Sequence, residues 1–207
     1  IDIYRGHLTP TKSLKEYAFF VAFFPSLVSG PILRASHFLP QLKEKIGQAK
    51  GSERLRLFII QNSRLKFGIS LMLLGFFKKM VFADNIAPLV NNIFSNPMGM
   101  ESFSIILGSI AFGIQVYCDF SGYSDIAIGA AAILGFKIPL NFNKPFFATS
   151  PSDFWSRWHI SLSSWVRDYL YFPLALKHRR FSSIAFPSLL LSMVVMGLWH
   201  GASWNFV

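Results

Sequence analysis

The sequence predicts an all-α, multi-pass integral membrane protein, and three observations carry that expectation. Hydrophobic residues make up 52% of the 207 positions and charged residues 14%, with a mean hydropathy of +0.42; soluble domains carry about a quarter charged residues. The apolar residues, 23 phenylalanines among them, gather into runs broken by Gly, Pro, Asn, Ser and Asp. The cations are segregated along the chain, which is the pattern the positive-inside rule describes.

In chain order, residues 17–28 (YAFFVAFFPSLV) are apolar but short and carry Pro25, and a Gly/Pro turn region follows. Residues 34–66 are basic, with Arg34, Lys43, Lys45, Lys50, Arg54, Arg56, Arg64 and Lys66 against Glu44 and Glu53. Residues 67–77 are apolar, then Lys78 and Lys79 intervene. Residues 84–102 contain no Lys or Arg. The apolar run 103–118 is expected to be interrupted at DFSGYSD, with a break at Gly122, and to resume at 126–136. Residues 137–183 mix aromatics with cations, and 184–199 form the last apolar run.

Segments 34–66 and 137–180 are assigned to the cytoplasm, and 84–102 to the outside. Runs 65–83 and 103–118 then cross in opposite directions. Lys78 and Lys79, near the outer end of the first crossing, must snorkel or face a polar cavity. No run reaches the roughly 20 clean apolar residues of a simple span. Broken apolar helices are tolerated where their backbone faces protein or a wet cavity, so the expectation is a bundle around an internal polar path. The first residue is Ile1 and the last residues are apolar, which reads as the middle portion of a longer chain, here one partial membrane domain over 1–207 with further helices on either side.

The formal charge of +10 fits cytoplasmic loops lying on phospholipid headgroups better than a nucleic-acid partner. The single cysteine, Cys118, excludes an intramolecular disulfide and a Cys-cluster metal site. No His/Asp/Glu spacing suggests a metal site either.

Several polar groups stand in apolar surroundings. Ser150-Pro151-Ser152-Asp153 carries a helix-start signature, with Ser at the cap, Pro at the first helical position and Asp three after the cap. From there one amphipathic helix over 150–174 is expected, with Phe154, Trp158, Leu162, Trp165 and Tyr169 on one face and Arg157, Ser161, Ser164 and Asp168 on another. His159 sits at the border of the two faces, where a histidine that merely satisfies a hydrogen bond is the ordinary reading. Asp119 and Asp125 lie in apolar sequence, either lining a substrate path, partnering a histidine, or closing a polar helix junction. Asn143 lies in a loop entering the 150–174 segment. His200 closes the last apolar run between Gly197 and Gly201; an imidazole there is either a general base or a packing residue.

Five stretches, YRG (4–6), FFPSLVSGPILRASHFLPQL (23–42), DFSGYSDIAIGAAAILGFKIPLNFNKPF (119–146), FWSRWHISLSSWVRDYLYFPL (154–174) and GLWHGASW (197–204), occur in an order that resembles the membrane-bound O-acyltransferase (MBOAT) family, closest to its bacterial alginate O-acetyltransferase-like branch. The resemblance implies a helical bundle around an intramembrane funnel or tunnel in the bacterial cytoplasmic membrane. It implies transfer of a short acyl group, acetyl being expected, to a hydroxyl of an exported polysaccharide or to a relay partner. His200 matches the family's principal catalytic histidine and His159 the second histidine of the bacterial branch. Substrate-binding candidates are Asp119, Tyr123, Asp125, Asn143, Arg157 and Trp199, and no metal or bound cofactor is expected. The donor is expected to be acetyl-CoA or an acyl carrier protein thioester, and an extracytoplasmic acyltransferase is the expected partner. The competing classes are a non-enzymatic exporter or channel, and a docking subunit for glycan modification.

Overall fold

The computed structural model describes residues 1–48, 62–177, 185–201 and 203. Lys50, Glu53, Arg54 and Arg56 of the basic stretch, and Trp204, lie outside the described residues. Among the described residues every regular element is helical. The chain divides into two compact units, one over Leu8–Phe142 and one combining Ile1–His7 with Asn143–Val207.

The first unit opens with helix α1 (Leu14–Val21). The Ser13 hydroxyl accepts the Glu16 amide hydrogen at 3.3 Å, satisfying a donor that the first helical turn leaves without a backbone partner. A single 3₁₀ turn at Phe24–Ser26 holds Pro25, which explains why the short apolar run 17–28 does not continue as helix. Helix α2 (Ala35–Gln48) packs on α1. Between them lies an aromatic cluster. Phe38 stacks on Phe136 with centroids 5.0 Å apart, and Phe23 meets Phe38 at 4.7 Å and Phe136 at 5.2 Å. Leu39, Leu42, Ala127, Ile128, Ala131 and Ile138 complete this core. Phenylalanine is used here because tilted and offset ring pairs add to the gain from burying their area.

The rest of the unit is a long antiparallel pair. Helix α3 (Asn62–Phe76), a π-helical segment (Phe77–Ala83) and helix α4 (Asp84–Ser95) follow one another without interruption. The segment 84–102, expected as an outer connection, is therefore helical for most of its length. After a 3₁₀ turn at Pro97–Gly99 the chain returns as helix α5 (Ser102–Ile133).

Helix α5 corrects the expected break at Gly122: it runs through DFSGYSD unbroken for 32 residues, about 48 Å at 1.5 Å per residue. Among the described residues it is the one helix both long and apolar enough to cross a bilayer. The reason for its continuity lies across the helix pair. A Cβ on Gly122 would stand 2.7 Å from the Gly75 carbonyl oxygen, and one on Gly75 would stand 2.5 Å from that of Gly122. Gly68 and Gly129 repeat the arrangement one heptad away, at 2.6 and 2.5 Å. Two pairs of glycines, seven apart on each strand of the pair, thus let the backbones touch. Close approach through small residues is how helices associate in lipid, where apolar burial gives no net drive. Leu73, Phe103, Ile106 and Ile110 point outward and are exposed.

Lys78 and Lys79, which stood against a clean first crossing, find their partners on α5. Lys78 Nζ lies 2.6 Å from Asp125, and Lys79 Nζ lies 2.6 Å from both Asp119 and Asp84. The Lys79 ammonium also stands 5.8 Å from the centre of the Tyr123 ring, an attractive placement for a cation. Asp119 and Asp125 are six apart, so a regular helix points them in different directions. The wider turn of the π segment presents adjacent lysines to both. Removing Lys78 leaves the Asp125 carboxylate uncompensated, and Lys78→Ala is expected to cost roughly 3 kcal/mol. The exchange Lys78→Asp with Asp125→Lys is expected to recover most of it. Thermal unfolding of the full-length protein in detergent checks this; an exchange no more stable than the single variant would show that the pairing contributes nothing.

Candidate active site

The second unit carries the two histidines. Helix α6 (Pro151–Arg157) begins as the sequence indicates: the Ser150 hydroxyl accepts the Asp153 amide hydrogen at 3.1 Å, and Pro151 takes the first helical position. Asp153 in turn accepts the amide hydrogen of Thr149, the residue before the cap, at 3.1 Å. The Arg157 guanidinium donates to Asp153 at 2.7 Å and holds that carboxyl below its usual range, helped by the Thr149 amide.

The single amphipathic helix expected over 150–174 does not form. The chain leaves α6 at Trp158, passes through His159, and starts again as α7 (Ile160–Val166). A π-helical segment (Arg167–Tyr171) and helix α8 (Phe172–Lys177) follow. His159 has φ of 42° and ψ of 52°, the left-handed region that side chains other than glycine seldom occupy. It caps α7 through its carbonyl, which accepts the Ser163 amide hydrogen at 2.9 Å. The Ser163 hydroxyl donates to the Trp158 carbonyl at 3.0 Å and ties the two sides of the break together. A left-handed conformation costs of order 1–3 kcal/mol and persists where surrounding structure fixes it. The break therefore aims one side chain that a continuous helix would aim elsewhere.

His200 is the last residue of helix α9 (Ala185–His200), which packs on α8 and on the π segment. Its ring lies 6.4 Å from that of His159, centre to centre, with the planes tilted by 58°. Trp199 flanks it at 6.1 Å. His159 is buried and His200 exposed in the described chain. Phe154 stacks on Trp158 at 5.5 Å and Phe146 approaches Trp158 at 6.3 Å, forming an aromatic wall beside the break. Burial lowers the pKa of the His159 imidazole to about 4, and a charge on His200 pushes in the same direction. His159 is accordingly neutral at physiological pH and can offer one N–H and one lone pair.

This burial has a consequence for stability. The folded pKa of His159 lies below the ordinary value of 6.5, so between those values the unfolded chain binds a proton that the folded chain refuses. Stability is full above about pH 6.5 and falls as the pH drops toward 4. Full-length wild type is expected to lose more melting temperature between pH 7 and 5 than His159→Asn does. Parallel losses in the two proteins would remove His159 as the cause.

The remaining candidates fall as follows. Arg157 is engaged with Asp153, and its carbonyl accepts the Asn143 amide hydrogen at 2.9 Å, which closes the 143–157 loop. The Asn143 side chain is exposed. Asp119, Tyr123 and Asp125 belong to the other unit, and the two carboxylates pair with lysines rather than with a histidine. The structure thus gathers His159, His200 and Trp199. Sequence pattern missed the N-terminal contribution: the Tyr169 hydroxyl donates to the Asp2 carboxylate at 2.6 Å, and the Arg5 guanidinium lies 5.8 Å from the centre of the Tyr169 ring. It also missed the backbone turn at His159, for which the only hint is that histidine enters the left-handed region more readily than bulkier residues.

Comparison with known proteins adds a family. The sequence profile of the MBOAT, membrane-bound O-acyltransferase family matches residues 6–207. The chain is 39% identical over 209 residues to a probable alginate O-acetylase AlgI of Azotobacter vinelandii, covering all of this chain and 38% of that protein. It is 38% identical over 192 residues to a peptidoglycan O-acetyltransferase of Helicobacter pylori, covering 93% of this chain and 34% of that protein. It is 30% identical over 215 residues to a teichoic acid D-alanyltransferase of Bacillus subtilis, covering 98% and 50%. The chain spans between a third and a half of the length of these relatives.

Proposed function

Since the chain belongs to the membrane-bound O-acyltransferase family, we propose that the full-length protein is a multi-pass enzyme of the bacterial cytoplasmic membrane that moves an acyl group, acetyl first, from a thioester donor on the cytoplasmic side to a hydroxyl of an exported polysaccharide. The names of its relatives, an O-acetylase, an O-acetyltransferase and a D-alanyltransferase, support the reaction class. The observation that carries the assignment to residues is the meeting of His159 and His200, one on a strained turn and one on a helix end, with rings 6.4 Å apart.

The chemistry follows from their surroundings. His200 accepts the proton of the acceptor hydroxyl as its oxygen attacks the thioester carbonyl carbon. The carbon–sulfur bond then breaks, and the departing thiolate takes up the proton that His200 carries, which restores the neutral imidazole. His159, kept neutral by burial, donates its N–H to the carbonyl oxygen as negative charge develops there. Trp199 and the Phe154–Trp158 stack lend the two histidines aromatic neighbours. Acetyl-CoA and an acyl carrier protein both satisfy this scheme. Transfer through a partner outside the membrane differs only in whose hydroxyl arrives first.

Membranes holding the full-length protein, given a thioester with a labelled acetyl group and the host polysaccharide, are expected to yield label in alkali-labile ester. Polysaccharide crossing the membrane with no label incorporated at any donor would overturn acyl transfer in favour of export.

A further inference from the structure

At the end of α5 the chain turns at Gly135, whose φ is +79°. Two cations from different helices converge on its open side. The position of a Cβ on Gly135 is 2.5 Å from Lys45 Nζ of α2 and 2.6 Å from Arg64 Nη1 of α3, so the two charged heads stand within about 5 Å of one another. A side chain at 135 would fill the space they occupy. Neither cation is ion-paired or hydrogen-bonded to another described residue. The underside of Lys45 is closed by the buried Phe136 ring, 5.2 Å from its ammonium. Burial and the Arg64 charge lower the Lys45 pKa, against a smaller opposing effect of Glu44.

The carbonyls of Ala130, Ala131 and Ala132 at the end of α5 already accept from Leu134, Phe136 and Gly135. The negative end of the helix dipole attracts cations, but it does not explain why both heads are held together. A planar guanidinium beside an ammonium, over a glycine and against an aromatic floor, is a donor set suited to the oxygens of a phosphate. We propose that the Lys45 and Arg64 heads, which meet where a side chain on Gly135 would stand, form a binding site for a phosphate group, carried either by a soluble ligand or by the headgroup of an anionic phospholipid. Both sources present the same oxygens, and a basic segment assigned to the cytoplasmic surface meets both. The site stands whether or not the chain transfers acyl groups.

The test uses the full-length protein in two arms. In nanodiscs of phosphatidylcholine, inorganic pyrophosphate is titrated and binding is read by calorimetry. In detergent, retention of phosphatidylglycerol through delipidation is read by mass spectrometry of the intact protein. Wild type is expected to bind in at least one arm, and Lys45→Gln with Arg64→Gln to weaken that arm roughly tenfold or more. Loss in the first arm assigns a soluble phosphate ligand, and loss in the second a lipid. Lys43→Gln with Lys66→Gln removes the same charge from exposed positions of the same two helices and is expected to leave binding unchanged. Equal weakening by the two double variants would reduce the effect to diffuse surface charge and overturn the site. Absence of binding by wild type in both arms overturns it without any variant.

Discussion

His200→Ala in the full-length protein is expected to lower the rate of O-acyl transfer by ~10²–10⁴-fold at unchanged abundance in the membrane, the range a positioned base contributes. The argument rests on what remains after the change. His159 stays buried and neutral, but its backbone is locked in the left-handed turn and its ring centre is 6.4 Å from where His200 stood. It cannot replace a base at that distance without unfolding the turn. Water can enter in place of the imidazole, yet it is a far weaker base at neutral pH. His200 is exposed at the helix end in the described chain, so its loss removes little packing. The measurement is ester-linked acetate on the cell-surface polysaccharide, set against wild type at matched protein level. Ester content equal to wild type would withdraw the assignment of His200 as the base.

Gly122→Leu and Gly75→Leu are expected to prevent the α3–α5 pair from closing, and each to remove most of the folded full-length protein from the membrane. Even Gly122→Ala is expected to destabilise by about 1–3 kcal/mol, the usual cost of an overpacked site. Its added carbon meets a backbone carbonyl at 2.7 Å, and backbone in a helix cannot swing aside. Gly113 lies on the same helix with nothing within 4 Å of a Cβ there. Gly113→Ala is therefore expected to be neutral or to gain up to about 1 kcal/mol from helix propensity. The two alanine variants share their chemistry and their helix and differ in whether a backbone faces the added carbon. Melting of both in one detergent decides the matter: coincident curves would show that the glycine seam does not hold the pair.

The same seam marks a limit of sequence pattern. Gly122 inside DFSGYSD carries the signal of a helix break, and local propensity supports that reading. The helix continues because Gly75, 47 positions earlier, needs the missing side chain. Lys78 and Lys79 conflicted with a clean crossing for the same reason, since their carboxylates arrive from α5. Information of this kind resides in pairs distant in sequence. What is local was legible: the Ser150 cap, the Pro151 start, and the last apolar run ending at His200 all form as their residues dictate. The turn at His159 was not, because no residue type there demands it.

The unit that holds both histidines is discontinuous: its first piece is residues 1–7 and its second begins at Asn143. Asp2 must wait for Tyr169 before its hydrogen bond can form. At ordinary translation speeds of 5–20 residues per second that wait is roughly ten to thirty seconds. Within it the whole antiparallel hairpin of α3 to α5 is synthesised and can enter the bilayer. Biogenesis therefore has a built-in order, with the lipid-facing hairpin able to assemble first and the histidine-bearing unit completed after it. A nascent chain arrested before residue 169 would carry α1 to α7 but would lack both the Asp2–Tyr169 clasp and His200.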